Sequence, residues 1–137
     1  MRTNAALALG LICAIGLVRA ADDEKPAGPI THLDAPAAAK LLAEKEEKKR
    51  PVIIDIRTLR EYEEGHLKGA KQIDFLGPEF EVQISKLDLK QPYLVHCRSG
   101  GRSSESLKLW KKLGFKKVYH LDGGILAWTK AKLPVEK

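Results

Sequence analysis

The sequence has few cysteines, few aromatic residues and no low-complexity segment, and each scarcity excludes a class of protein. Two of its 137 residues are cysteine, Cys13 and Cys97, too few for a small fold held together by disulfides. Aromatic residues make up 6% of the chain and are not interleaved with the lysines, so the stacking pattern of a nucleic-acid-binding surface is absent. The length and the apolar fraction of 44% predict one globular domain with its own core.

The histidines and the charges give no sign of a metal, a cofactor or a macromolecular polyanion. The four histidines are scattered and show no ligand spacing, so we expect no metal and no cofactor. The net charge of +6 lies largely in lysine pairs and in a mixed run over residues 44–50. We interpret these charges as solvated helix faces, with a weak attraction for small anions as the alternative.

The first 20 residues have the composition of a secretory signal. Arg2 supplies positive charge, residues 5–18 are small and aliphatic and too few to span a bilayer comfortably, and Ala20 ends a pattern typical of cleavage. We therefore expect cleavage near Ala20, a linker over residues 21–29 and a folded domain over residues 30–134. The mature protein would then be periplasmic or secreted, without stable membrane association and with Cys97 as its lone thiol.

Short apolar runs alternate with helical patterns along the domain. This alternation predicts an α/β fold with a parallel sheet, helices on both faces and right-handed crossovers. The predicted strands cover residues 30–33, 52–56, 71–75, 93–96 and 118–121. One predicted helix follows Asp34. The other predicted helices cover residues 61–64, 78–87, about 103–113 and 125–131. Asp55, Cys97 and Asp122 fall at strand ends, where ligands bind in such folds, and should share one rim of the sheet.

Cys97 opens a loop of small and cationic residues that leads directly into a helix. A helix N-terminus and glycine-rich backbone present N–H groups that stabilise an anion, and two arginines add positive charge. These surroundings lower the pKa of a thiol, and the thiolate is the nucleophile. The alternative is a buried core cysteine beside a glycine-rich turn. The interpretation as a nucleophile requires a sulfur that is ionised near neutral pH and open to solvent.

Four segments together resemble the rhodanese (sulfurtransferase) family of the single-domain type. They are Asp55-Ile56-Arg57 with Glu61-Tyr62, Gly65 to Ala70, the loop from Cys97 to Ser103, and Leu121-Asp122-Gly123-Gly124 with Trp128. The resemblance implies a rhodanese-like three-layer fold with a five-stranded parallel sheet. It also implies transfer of sulfane sulfur through a cysteine persulfide.

The loop then supplies the catalytic and substrate-binding residues. Cys97 would be the catalytic nucleophile that takes sulfur from thiosulfate or a similar small anionic donor and passes it to cyanide or a thiol. The residues expected to bind the substrate and the persulfide are Arg98, Ser99, Gly100, Gly101, Arg102 and Ser103. For each arginine, the alternative is a structural role bonded to a carbonyl or a carboxylate. A periplasmic redox partner that keeps Cys97 reduced would fit this chemistry.

Other polar residues of the rim are expected to be structural. Asp55 and Arg57 are predicted to form a buried or half-buried pair that braces the rim, His66 to hold its loop, and Asp122 to form a turn. His96 precedes Cys97 on the strand, so its side chain should point away from that of Cys97 and be packed. His32 and His120 lie in predicted strands and receive no role.

Two other functions remain as alternatives to sulfur transfer by an enzyme. Phosphatases and arsenate reductases with a related fold carry one more residue between Cys and Arg than the four that separate Cys97 from Arg102 here. The shorter loop suits a sulfur atom better than a tetrahedral oxyanion. A non-catalytic rhodanese-like module that carries a persulfide to a docked partner is the other alternative, although the intact Cys97 loop argues against it.

Overall fold

The computed structural model describes residues 28–137, so the predicted signal peptide and residues 21–27 of the predicted linker lie outside the described residues. The strands are β1 (Ile30–Leu33), β2 (Val52–Asp55), β3 (Lys71–Gln72), β4 (Tyr93–His96) and β5 (Val118–Leu121). The helices are α1 (Ala35–Leu42), α2 (Leu59–Glu64), α3 (Phe80–Ser85), α4 (Gly101–Lys112) and α5 (Gly124–Lys130). Within this part of the chain, no helix is long and apolar enough to cross a membrane.

The five strands form one parallel sheet in the order β1-β5-β4-β2-β3. Its centre is β4, whose four residues are all buried, because helices cover both of its faces. The register places Asp55 beside His96 and His32 beside His120. The carboxyl ends of β2, β4 and β5 therefore meet at one edge of the sheet, as the sequence predicts.

Each face of the sheet carries its own apolar core. On one face, α3 and α4 pack Phe80, Ile84 and Trp110 against Ile54 and Val95. On the other face, α1 and α5 contribute the buried residues Ala35, Ala38, Ile125 and Trp128, and Tyr62 of α2 packs beside them. The prediction of a three-layer α/β fold with a five-stranded parallel sheet is confirmed.

Three elements have boundaries that differ from the prediction: α1, β3 and α4. The carboxylate of Asp34 caps α1 as expected, but the helix stops at Leu42, its last apolar residue. The charged run beyond it forms only a short 3-10 turn at Glu47–Lys49 without a buried residue. The third strand is shorter than predicted, although the Ile73 N–H still donates to the Asp55 carbonyl. Helix α4 begins two residues earlier than predicted, at Gly101.

Helix α5 begins directly against the loop that follows β4. The Ile125 N–H donates to the Cys97 carbonyl at 3.0 Å, and the Leu126 N–H donates to the Arg98 carbonyl at 3.1 Å. Gly124 permits this contact, because its φ is +59° and a Cβ there would lie 2.5 Å from both carbonyl oxygens. The first turn of α5 thus fixes the start of the Cys97 loop.

We expect Gly124→Ala to destabilise the fold by at least about 2 kcal/mol, because the new methyl group meets backbone and the positive φ is strained. The matched control is Gly101→Ala, since a Cβ at Gly101 has no atom within 4 Å and its φ is ordinary. Urea unfolding of both variants measures the difference. Equal stabilities for the two variants would contradict this account of the contact between α5 and the loop.

Candidate active site

The Cys97 sulfur lies inside a ring of donors at the N-terminus of α4. The Gly100 N–H donates to Sγ at 3.1 Å, and the Ser103 N–H donates at 3.4 Å. The Ser103 hydroxyl lies 3.3 Å from Sγ, where it can donate a third hydrogen bond. Gly100 makes this ring possible, since its left-handed backbone (φ +103°) turns the loop back toward the sulfur. The predicted nest around Cys97 is present.

These donors decide the ionisation of the thiol. Burial raises the pKa of Cys97, but the hydrogen bonds from Ser103 and from the N–H groups of Gly100 and Ser99 outweigh it. The net result is a pKa below the ordinary value of a cysteine thiol, because these donors bond more strongly to the anion. The direction of this shift is the one the nucleophile interpretation requires.

Access to the sulfur differs from the expectation. Cys97 is only 1% exposed, whereas the sequence interpretation requires a sulfur open to solvent. The cause is local: the loop closes over Sγ to bring its donors within reach, and α5 packs against the loop's first carbonyls. Arg98, Ser99 and Gly101 are exposed on the outside of the loop.

The two loop arginines have different surroundings. Arg102 makes a bidentate pair with Glu61 of α2, with nitrogen-to-oxygen distances of 2.7 and 2.9 Å. This pairing is the structural alternative considered for the arginines, and it leaves substrate contact by Arg102 a prediction. Arg98 is exposed and makes no ion pair among the described residues. Arg98 is thus the loop cation available to an incoming anion.

Glu61 is a rim residue for which the sequence predicts a helical turn and no further role. The hydrogen bond from Arg102 lowers its pKa to about 2, a larger effect than its partial burial, and Thr58 adds further hydrogen bonds. Thr58 and Glu61 also form a capping box at the start of α2. A threonine followed three residues later by glutamate was the available sequence signal.

We expect Glu61→Gln to lower the free energy of unfolding at neutral pH by about 1.5 kcal/mol, because Arg102 loses a charge-assisted partner. The pKa of Glu61 is depressed, so its contribution is fully present above about 4.5 and is lost as the pH falls through about 2. The variant should therefore approach wild-type stability at the acid end of that range. Glu64→Gln is the control, since Glu64 is exposed in a loose pair with Arg60. Equal losses for the two variants would refute this role of Glu61.

Asp55 and Arg57 form the buried pair that the sequence predicts. Asp55 is fully buried, and the Arg57 Nη2 donates to its carboxylate at 2.7 Å. Arg57 also donates to the carbonyls of Glu61 and Gly65 at 3.1 and 2.8 Å. This guanidinium therefore joins the end of β2 to the middle of α2 and to the residue that follows its last turn, and so helps to position Glu61 beside Arg102.

His66 and His96 have the surroundings of packed side chains. The His66 ring stacks on Tyr62, with centroids 3.8 Å apart, and its Nδ1 lies 3.0 Å from the Tyr62 carbonyl. His96 is fully buried, and its Nδ1 donates to the Cys97 carbonyl at 2.9 Å. Burial is the main cause that lowers the pKa of His96, so its ring stays neutral. Neither ring bonds to the Cys97 sulfur.

Asp122 is more than a turn residue, because it connects two histidines, His32 and His120, for which the sequence predicts no role. Its Oδ1 lies 2.8 Å from Nδ1 of His32 and 2.7 Å from Nδ1 of His120. The Nε2 of His120 lies 2.7 Å from the Ser103 hydroxyl, which itself reaches the Cys97 sulfur. A sequence signal existed: both histidines are the third residue of a four-residue strand and precede leucine.

Among residues 28–137, His32, His120 and Asp122 are the group whose ligand atoms lie within reach of one metal ion. The distances between these atoms are those of hydrogen bonds, and the Asp122 carboxylate oxygen can accept a hydrogen bond from the Nδ1–H of each ring. The three side chains therefore form a hydrogen-bonded cluster.

The sequence is similar to those of known proteins. The chain matches the family described as "Rhodanese-like domain" over residues 37–131. It is 33% identical over 106 residues to thiosulfate sulfurtransferase GlpE of Vibrio cholerae, with 77% of this chain and 93% of the relative covered. It is 38% identical over 77 residues to the putative sulfur carrier protein YrkF of Bacillus subtilis, with 56% of this chain and 40% of that protein covered.

The fold also has a solved counterpart. A rhodanese-related protein from Thermoplasma volcanium superposes with a TM-score of 0.67 at 22% sequence identity. The match covers 77% of this chain and 97% of that one, and it shows the shared fold.

Proposed function

The chain belongs to the rhodanese-like domain family, and from this membership and the Cys97 site we propose that it is a thiosulfate sulfurtransferase that works through a persulfide on Cys97. Sulfur transfer is the activity of its relatives in general, and thiosulfate as donor is our more specific proposal. The observation that carries the proposal is the ring of Gly100 and Ser103 donors that favours a thiolate at the start of α4.

The reaction divides into two displacements. In the first, the Cys97 thiolate attacks the outer sulfur of thiosulfate, the sulfur–sulfur bond of the donor breaks, and sulfite leaves with the bonding electron pair. The enzyme then holds a persulfide whose terminal sulfur carries the negative charge. In the second, cyanide or a thiolate attacks that terminal sulfur, and the electron pair of the broken bond returns to Cys97. No oxidant or reductant is consumed.

The site residues fit both steps. The loop N–H groups that stabilise the thiolate also stabilise the persulfide anion, since both carry one negative charge in the same ring. Arg98 is exposed and unpaired among the described residues, so it can neutralise an approaching divalent anion. Because Cys97 is 1% exposed, the first displacement requires an outward movement of the loop that uncovers the sulfur.

Initial-rate kinetics test the enzyme proposal. Rates are measured over a matrix of thiosulfate and cyanide concentrations, and the two-step reaction predicts parallel double-reciprocal lines. An aryl phosphate assayed in parallel should not be hydrolysed. Intersecting lines would contradict a covalent intermediate, and aryl phosphate hydrolysis without sulfur transfer would favour the phosphatase alternative.

A persulfide carrier is the second candidate function, and the burial of Cys97 favours it. A carrier benefits from a persulfide that is shielded from solvent, and one relative is named a putative sulfur carrier protein. The two functions differ in the second displacement. Loading by thiosulfate without turnover by cyanide or small thiols would support the carrier and contradict the enzyme.

Export, to the periplasm or as a secreted protein, is part of the proposal. The features that support it are the apolar run over residues 5–18 and the cleavage pattern at Ala20. The intact mass of protein recovered from an exporting host tests it, because cleavage removes about the first 20 residues. An intact Met1 terminus in the exported fraction would refute the signal.

A further inference from the structure

Two imidazoles and a carboxylate meet where β1 lies beside β5. The register pairs His32 of β1 with His120 of β5, and Asp122 follows two residues after His120. Residues paired across neighbouring strands point to the same face of a sheet, as does a residue two positions further along. The fold therefore collects three side chains that are far apart in the chain, so spacing along the sequence gives no sign of the group.

Both rings present the same nitrogen to one point. The Nδ1 atoms of His32 and His120 lie 2.8 and 2.7 Å from one oxygen, Oδ1 of Asp122. A tetrahedral ion bonded to nitrogen and oxygen at about 2.0–2.2 Å needs its ligand atoms about 3.3 Å apart. A shift of the carboxylate by less than about 1 Å supplies that spacing, and the Asp122 side chain is 52% exposed, so it has room to move.

Each ring can offer its Nδ1 to a metal without a change in its number of protons. A neutral imidazole carries its proton on either nitrogen, so a metal on Nδ1 leaves the proton on Nε2. In His120, Nε2 lies 2.7 Å from the buried Ser103 hydroxyl, which can accept a hydrogen bond as well as donate one. Such a partner on the second nitrogen is typical of a ligating histidine. The His32 ring is half exposed, and its Nε2–H can donate to water.

The kinds of ligand atom and the surroundings favour one class of ion. Two imidazoles with one carboxylate suit zinc and similar divalent transition metals, whereas calcium and magnesium prefer oxygen ligands throughout. Lys108 and Lys111 line a cavity beside His32, but both are exposed, so solvent screens their repulsion of a cation. The half exposure of His32 and Asp122 leaves the fourth position of a tetrahedral ion to water.

We propose that His32, His120 and Asp122 form a binding site for one zinc ion. Their Nδ1 atoms and carboxylate would hold the ion, which takes the place of the protons that now join the three side chains. The ion would clamp edge strand β1 to the turn after β5. That turn leads into α5, whose first N–H groups bond to the carbonyls of the Cys97 loop. The site would therefore stabilise the edge of the sheet on which the loop rests.

Calorimetric titration with Zn²⁺ tests the site in the full-length protein without a histidine tag. Both cysteines are replaced, by Cys13→Ser and Cys97→Ser, so that no thiolate competes for the ion. This parent should bind one Zn²⁺ per chain. His32→Gln and Asp122→Asn should each weaken that binding at least about tenfold, because each removes a ligand. His66→Gln is the matched control, since it makes the same change at a histidine that stacks on Tyr62 outside the cluster.

Two further measurements follow the same variants. Co²⁺ bound to the parent should show the visible absorption of a tetrahedral nitrogen and oxygen site, and Zn²⁺ should displace it. Zn²⁺ should raise the melting temperature of the parent and of His66→Gln, and leave that of His32→Gln nearly unchanged. Melting temperatures without metal show whether each variant is folded, and the half exposure of His32 and Asp122 predicts that both variants are.

Three results would overturn the zinc site. They are no heat of binding at about 1 mM Zn²⁺, an unchanged affinity in His32→Gln and Asp122→Asn, and an equal loss of affinity in His66→Gln. Because the parent lacks both thiols, none of these results depends on whether the protein transfers sulfur. Zinc binding can therefore be rejected while the proposed function stands, and the reverse also holds.

Discussion

Cys97→Ser is expected to abolish thiosulfate-to-cyanide sulfur transfer, with a loss of at least about a thousandfold in kcat. The serine hydroxyl fits the space of the thiol and can accept the same hydrogen bonds. It does not ionise near neutral pH, and its oxygen does not form the sulfur–sulfur bond of a persulfide. The loss should therefore come from chemistry and leave the fold intact, since the Cys97 side chain meets its donors through Sγ alone and the bonds to its carbonyl are unchanged.

The control for this prediction is the same substitution at the other cysteine. Cys13→Ser should retain wild-type activity, because the proposed signal segment takes no part in the reaction. The measurement is steady-state production of thiocyanate by both variants, with unfolding curves to establish equal stability. Substantial activity in Cys97→Ser, or equal losses in the two variants, would remove Cys97 from the centre of the mechanism.

Arg57→Met is expected to cause the largest loss of stability, about 3–5 kcal/mol. The substitution leaves the Asp55 carboxylate fully buried without its cation. It also removes the donors to the carbonyls of Glu61 and Gly65, which hold the middle of α2 and the residue after its C-terminus. Methionine fills similar volume, so the loss reports the missing charge and hydrogen bonds more than a cavity.

Arg60→Met is the matched control for this stability prediction. The Arg60 side chain is 90% exposed and its pair with Glu64 is loose, at 3.7 Å, so the same chemical change should cost less than about 0.5 kcal/mol. Urea unfolding at neutral pH measures both variants. If Arg57→Met is as stable as Arg60→Met, the buried pair does not brace the rim.

The sequence predicts the architecture because each buried strand is marked by a continuous apolar run and each helix by a boundary residue. Val52 to Ile54 and Tyr93 to Val95 can be recognised without any knowledge of their neighbours. The parallel topology alone brings residues at the carboxyl ends of strands to one edge of the sheet, so the sequence predicts that Asp55, Cys97 and Asp122 lie together. The charged run after Leu42 was harder to assign, since helix propensity and the absence of an apolar anchor point to different structures.

Side-chain partners between distant segments could not be predicted in the same way. The pairing of Arg102 with Glu61 joins residues 41 positions apart and depends on how α2 sits over α4. The series from His32 to Ser103 depends on the strand order, which places β1 beside β5. The burial of Cys97 arises from the closing of its loop and the approach of α5, both of which depend on glycine conformations at Gly100 and Gly124.

The most direct test of the central claim is to identify the residue that holds the transferred sulfur. The full-length protein is incubated with thiosulfate and digested under alkylating conditions, and the mass of the peptide that contains Cys97 is recorded before and after cyanide. The account predicts that this peptide gains one sulfur atom and that cyanide removes it. A Cys97 peptide of unchanged mass, under conditions in which thiosulfate is consumed, would contradict a persulfide on this residue.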